Sequence, residues 1–217
     1  MKNAIILFDM DGTLTDSGEG IINSAWYALK QLNLPLPPRE EMRVMVGPPL
    51  RDSFLRFGVA PELVEKAVEL YRQRYVPTGM FENTPYPGIS AMLAALKDAG
   101  HRLYVATSKP ESMAVEILTK FRLNGYFDKI YGASMDDSRD TKDKVIAYIL
   151  QELNCGNQAV MVGDTKFDVL GAAEHGIPTL GVTWGYGLKK ELVESGAVAT
   201  VDTPAQLLQY FRRHSFK

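Results

Sequence analysis

Ala4-Ile5-Ile6-Leu7-Phe8, followed at once by Asp9-Met10-Asp11-Gly12-Thr13-Leu14-Thr15-Asp16, is the stretch that decides the fold. A short apolar run that ends at turn-forming residues reads as a buried strand. In an extended chain the side chains at i and i+2 share a face, so Asp9 and Asp11 can both project toward one ligand before Gly12 lets the backbone turn. Like charges so placed repel, by about 4 kcal/mol at roughly 4 Å and an effective dielectric near 20. The arrangement therefore needs a cation or a shifted pKa, and paired acids at a strand end imply a divalent ion. Oxygen-only ligation suits Mg²⁺, which keeps several waters and takes one or two carboxylates together with substrate phosphate. His101, His175 and His214 lie far apart and show no ligand spacing, so no zinc pattern competes.

Moving outward, short apolar runs recur at Leu103 to Ala106, Lys129 to Gly132, Ala159 to Val162 and Thr179 to Val182. Between them stand helix-period segments at Ile89 to Asp98, Glu111 to Phe121, Lys142 to Leu153 and Phe167 to Glu174. Such alternation predicts an α/β fold, a Rossmann-like parallel sheet covered by helices on both faces, with ligands at the carboxyl ends of the strands. The interval 17–80 breaks the pattern, with helical periodicity and no convincing strand. Ile21, Ile22, Ala25, Leu29 and Leu32 share one helical face, and Leu63, Val64, Ala67, Val68 and Tyr71 share another after Pro61. The expected organisation is a catalytic core of residues 1–16 and 81–217 with a small helical domain, 17–80, inserted after the first strand.

The same residue types return after the other strands. In Gly163-Asp164-Thr165-Lys166-Phe167-Asp168, a helix starting near Thr165 brings Asp168 into its first turn, close to Asp164. Asp164 reads equally as a helix cap or a ligand. Thr107-Ser108-Lys109-Pro110 places two hydroxyls at the expected entrance to a helix, a cap and an anion site at once. Lys142, which opens a helix, is placed to supply a positive charge, and Lys144 competes with it.

Asp9-x-Asp11-Gly12-Thr13, Thr107-Ser108, Lys142 and Gly163-Asp164 with Asp168, in that order, resemble the haloacid dehalogenase-like hydrolases. The resemblance spans nearly the whole chain, and the insertion corresponds to that family's cap. It implies an aspartyl nucleophile at Asp9 and a general acid/base at Asp11. It implies Mg²⁺ held by Asp9, the Asp11 backbone carbonyl and Asp164, with Asp168 acting through water or as support. Thr107 and the Ser108 amide would bind phosphoryl oxygens, and Lys142 would neutralise Asp9 and phosphate together. The acid at position 11 argues against the dehalogenase, phosphonatase and P-type ATPase branches, and the lack of histidine in 17–80 weakens a sugar-phosphate mutase reading. Gly47-Pro48-Pro49-Leu50-Arg51-Asp52 and Gly181-Val182-Thr183-Trp184-Gly185-Tyr186-Gly187 point to the phosphoglycolate phosphatase and 5′-nucleotidase-like branch.

The implied function is a Mg²⁺-dependent phosphatase acting on a small phosphorylated metabolite. A mutase, a pyrophosphatase and a non-hydrolytic phospho-acceptor module are the alternatives. Arg51, Arg43 and Arg56 are candidates for a second anionic group of the substrate, with Arg51 favoured because the Gly47-Pro48-Pro49 turn carries it. Among the 217 residues, 24 Lys and Arg nearly balance 26 Asp and Glu, so no global field recruits a nucleic acid polymer or an anionic membrane. No obligatory protein partner is evident. The single Cys155 allows no internal disulfide, and the first apolar run is too short for a signal sequence, so a cytoplasmic location is expected.

Overall fold

A computed structural model describes residues 3–134, 136 and 138–214. Strand β1 (Ile5–Phe8) lies at the centre, and its four side chains are almost wholly buried, each contributing about 1.5–3 kcal/mol. It pairs in parallel with β4 (Arg102–Pro110) on one side and β6 (Ala159–Gly163) on the other. Beyond these lie β5 (Lys129–Ala133), next to β4, and β7 (Thr179–Val182) and β8 (Ala199–Val201), next to β6. The result is one six-stranded parallel sheet in the order β5-β4-β1-β6-β7-β8.

Period-two alternation assigns each strand residue to one of two cores. Ile6, Phe8, Leu103, Val105, Val160 and Val162 pack on the face covered by α4 (Ile89–Asp98), α5 (Glu111–Lys120) and α9 (Pro204–Arg213). Ile5, Leu7, Tyr104, Ala106 and Met161 pack on the other, beneath α6 (Lys142–Leu153) and α7 (Lys166–Ala173). Helix α8 (Lys189–Glu194) packs beside β7 and β8 through buried Leu192. Among the described residues no helix is long and apolar enough to cross a membrane.

The predicted α/β sheet is present, with differences that have physical causes. Strand β8 is a three-residue edge, too short to show a period, so five expected strands become six. Strand β4 runs on through Thr107 and Ser108 to Pro110, and α5 begins only at Glu111. Thr107 and Ser108 are therefore strand residues, not a helix cap. A two-stranded antiparallel pair, β2 (Thr15–Asp16) and β3 (Thr84–Pro85), joins Thr15 to Pro85 and Asp16 to Thr84.

Between β2 and β3 the chain forms α1 (Gly18–Gln31), α2 (Leu50–Arg56) and α3 (Pro61–Tyr75), with short 3₁₀ turns at Glu41–Met45 and Gly79–Phe81. Ile21, Ile22, Ala25 and Leu29 of α1 meet Val64, Ala67, Val68 and Tyr71 of α3 and Phe54 of α2 in one apolar cluster. Leu63, expected on that face, is exposed at 36%, because the buried stripe of α3 runs 64, 67, 68, 71, 75.

Candidate active site

The sheet order reverses at β1, whose neighbours β4 and β6 leave in opposite directions, and the site lies beyond the carboxyl ends of these three strands. Asp9 continues β1, its N–H donating to the Val162 carbonyl at 2.9 Å. The chain then turns tightly, with Gly12 N–H donating to the Thr15 carbonyl at 2.8 Å and Leu14 N–H to that of Met10 at 2.9 Å. Gly12 adopts φ +86°, and a Cβ there would stand 2.2 Å from Asp164 Oδ2. Glycine is required twice over, by conformation and by the carboxylate against its backbone.

Asp164, fully buried after β6, accepts hydrogen bonds from Tyr186 N–H at 2.8 Å and the Thr13 hydroxyl at 3.2 Å. The cap of α7 is Thr165, not Asp164, and Asp168 accepts from the Thr165 N–H at 3.0 Å and hydroxyl at 2.9 Å. Carboxylate oxygens of Asp9, Asp164 and Asp168 lie within 4.8 Å of one another. Lys142 reaches them: its Nζ is 2.6 Å from Asp9 Oδ1 and 2.8 Å from Asp168 Oδ1, and it donates to the Ala106 carbonyl at 2.9 Å. Lys144 instead pairs with Asp140 at 2.8 Å, half-exposed. Residues two apart on a helix do not share a face, so Lys142 turns to Asp9 and Lys144 does not.

Burial drives the Asp9 carboxyl up to about 7, with Lys142 opposing and Asp168 and Asp11 adding to the rise. Burial, then Asp168 and Asp9, hold Asp164 well above the ordinary range. For Lys142 burial works against the charge, but Asp168 and Asp9 outweigh it and the ammonium is held up. Three carboxylates facing one ammonium leave two negative charges, the charge that one divalent cation neutralises. The donor set is all oxygen. Donor type and charge both fit a hard divalent ion.

The second acid of the first motif goes elsewhere. Asp11 stands outside the three-carboxylate cluster and forms an ion pair with Lys109, Nζ to Oδ2 2.9 Å. Thr107, Ser108, Lys109 and Asp11 line a cavity of about 300 Å³, with Asp9 and Lys142 also in its wall and Ile21, Met45, Val68, Tyr71 and Met113 forming an apolar side. Arg51 also lines it, paired with Glu65 through Nε–Oε1 at 2.6 Å and Nη2–Oε2 at 3.1 Å. Arg43 instead lies over the Tyr186 ring, 5.3 Å from its centroid, and Arg56 is not in the cavity wall. Gly47, at φ +108°, sets the Pro48-Pro49 turn against Thr165, whose Cγ2 a Cβ would meet at 3.2 Å.

Lys109, Tyr75 and Thr13 escaped the sequence reading. Lys109 carried a usable signal: had the strand been extended past Ala106, Thr107 and Lys109 would share a face at i and i+2. Tyr75 carried none, because its partner is remote in sequence. None of the three histidines lines the cavity, and His101 is occupied as acceptor of the Ala4 N–H at 3.1 Å.

The family model described as haloacid dehalogenase-like hydrolase matches residues 6–182. The chain belongs to this family. It is 40% identical over 189 residues to a 5′-nucleotidase of Pseudomonas aeruginosa, covering 86% of each chain. It is 30% identical over 197 residues to a phosphoglycolate phosphatase of Caulobacter vibrioides, covering 86% of this chain and 81% of that one. It is also 44% identical over 184 residues to the tyrosine-protein kinase PtkA of Mycobacterium tuberculosis, covering 84% of this chain but only 63% of PtkA. The crystal structure of a predicted phosphatase from Clostridium acetobutylicum superposes with a TM-score of 0.93 at 40% identity, covering 98% of this chain and 100% of that one. The haloacid dehalogenase-like hydrolase described here is thus a phosphatase-type enzyme, whose family uses a divalent metal.

Proposed function

We propose that this chain hydrolyses a small phosphomonoester, phosphoglycolate-like or nucleotide-like, in a Mg²⁺-dependent reaction through an aspartyl-phosphate on Asp9. The observation that carries this reading is Lys142 wedged between Asp9 and Asp168 in the wall of the cavity. Asp9, the Asp11 backbone carbonyl and Asp164 would hold the ion, with Asp168 acting through water or as a support behind them. When bound, Mg²⁺ offsets the negative charge that phosphate brings to an acidic pocket.

An Asp9 carboxylate oxygen attacks phosphorus, and the ester oxygen leaves with a proton from Asp11. Water then attacks phosphorus and gives a proton to Asp11 as the bond to Asp9 breaks, releasing inorganic phosphate and restoring both residues. Thr107 and the Ser108 amide bind the phosphoryl oxygens, and Lys142 draws Asp9 and phosphate together against their repulsion. Residues 17–80 act as a cap domain on a core of 1–16 and 81–217, closing over the substrate and excluding water before attack. Arg51 meets a second anionic group of the substrate by exchanging its Glu65 partner. The unpaired thiol of Cys155 suits a reducing cytoplasm.

The test is phosphate release from 2-phosphoglycolate, nucleoside monophosphates, pyrophosphate and p-nitrophenyl phosphate, with Mg²⁺ and with EDTA. Metal-dependent release from one class of monoester is expected. Release from pyrophosphate alone, or transfer of phosphate from a nucleotide to tyrosine without release, would overturn it.

A further inference from the structure

Lys109 has no part in the reaction as described, yet its ammonium is among the most enclosed cations of the site, with its side chain only 6% exposed. It lies 3.0 Å from Asp11 Oδ1 and 2.9 Å from Asp11 Oδ2, spanning the carboxylate. Its remaining donor goes to the Tyr75 hydroxyl, and it sits 4.9 Å from the centroid of that ring. Tyr75 is the last residue of α3, in the insertion, and its ring stacks on Tyr71 at 5.0 Å. The backbone is tied as well, since Lys109 N–H donates to Thr107 Oγ1 at 3.2 Å.

We propose that Lys109 is a positioning residue that fixes the Asp11 carboxyl for proton transfer, and that Tyr75 makes this hold depend on the insertion being seated. The inference rests on the phosphatase reading above and goes beyond it. Repulsion from Asp9, Asp164 and Asp168 pushes the Asp11 side chain outward, and without a partner that short side chain samples several rotamers. With Lys109 across both oxygens, and the Asp11 side chain only 13% exposed, the lone pairs left over face the cavity. A proton carried by Asp11 on one of those lone pairs is aimed at the ester oxygen, and passes to it as the bond from that oxygen to phosphorus breaks. Moving α3 away would remove Tyr75 from Lys109 and loosen this arrangement, so the acid is best placed when the cavity is closed.

The experiment compares kcat/KM for β-glycerol phosphate, whose alkoxide needs a proton to leave, with p-nitrophenyl phosphate, whose phenolate leaves without one. Lys109→Met should lower kcat/KM for the alkyl ester by about tenfold or more and stay within about threefold for the aryl ester, as loss of general acid catalysis requires. Asp11→Asn should show the same selectivity more strongly. Adding Lys109→Met to Asp11→Asn should cost nothing more, because residues acting as a unit are non-additive. Tyr75→Phe, which keeps the Lys109–Asp11 pair, should show a smaller loss in the same direction and carries the test if Lys109→Met does not fold. Equal losses on both esters, or a full further loss on the Asp11→Asn background, would overturn the proposal in favour of direct substrate contact or damage to the fold. A wild-type protein that releases no phosphate from either ester would overturn the phosphatase reading itself.

Discussion

Replacing Asp164 by Asn should stabilise the metal-free protein at pH 8 and abolish its response to Mg²⁺. Asp164 faces two carboxylates within 4.8 Å, and at that separation with an effective dielectric near 20 each pair repels by about 3.5 kcal/mol, roughly 7 kcal/mol gross. Part of this is offset, because burial and the Asp168 and Asp9 carboxylates hold Asp164 well above the ordinary range and so favour its neutral form. The amide oxygen can still accept from Tyr186, so the substitution forfeits about 1 kcal/mol of hydrogen bonding at most. A net gain of about 1–3 kcal/mol remains, or roughly 3–10 °C in Tm for a chain of this size. The pH dependence has a definite sign. Asp9 and Asp164 have native pKa values raised above their unfolded ones, so the native state keeps protons the unfolded chain releases, and stability is lost as pH rises toward and through about 7. The advantage of Asp164→Asn should therefore shrink from pH 8 to pH 5. In the wild type, Mg²⁺ at 100 times its Kd should add about 2.7 kcal/mol, and in the variant nothing. Thermal unfolding followed by circular dichroism at both pH values, in EDTA and in Mg²⁺, reads all of this. A variant that melts lower than wild type in EDTA at pH 8, or a wild type indifferent to millimolar Mg²⁺, would refute the reasoning.

Asp9→Asn should lower phosphate release by about a thousandfold or more while a cooperative melt is retained, because the amide keeps the shape but cannot attack phosphorus; activity above about a tenth of wild type would remove Asp9 from that role. His101 accepts the Ala4 N–H, and burial lowers its pKa below the ordinary 6.5. Its contribution is therefore present above about pH 6.5 and lost as pH falls below it, so the urea midpoint should drop from pH 7 to pH 5 more in wild type than in His101→Asn. Arg51→Ala should reduce kcat/KM for a substrate with a second anionic group by about 1–3 kcal/mol, with p-nitrophenyl phosphate as the unaffected control.

The long signals were legible. β1, α4, α6 and β7 stand close to where periodicity places them, because four or more buried residues leave a clear pattern. Asp9 and Asp164 were legible as strand-end residues and Asp168 as a first-turn acid of the helix that follows, and the fold brings them together. What failed was local competition. Pro110 ends β4 four residues past the apolar run, so hydroxyls that resemble a cap are strand residues. The pairing of β2 with β3 rests on two residues a side, below any period. Lys109 and Tyr75 meet only because α3 lies over the strand ends, a tertiary fact that neither residue announces in its own neighbourhood.

That small β2–β3 ribbon has a bearing on how such an enzyme diversifies. The chain departs for the helices at Asp16 and is back at Thr84, its bonded neighbour, so the two ends of the excursion coincide in space. Nothing in the register of the six main strands depends on how many residues lie in that loop or what they fold into. A longer, shorter or unrelated module could be spliced at the same two points without displacing Asp9 from Asp164. The acids Asp9, Asp164 and Asp168 can thereby keep their places while what lies over them, Tyr75 and Arg51 included, is exchanged.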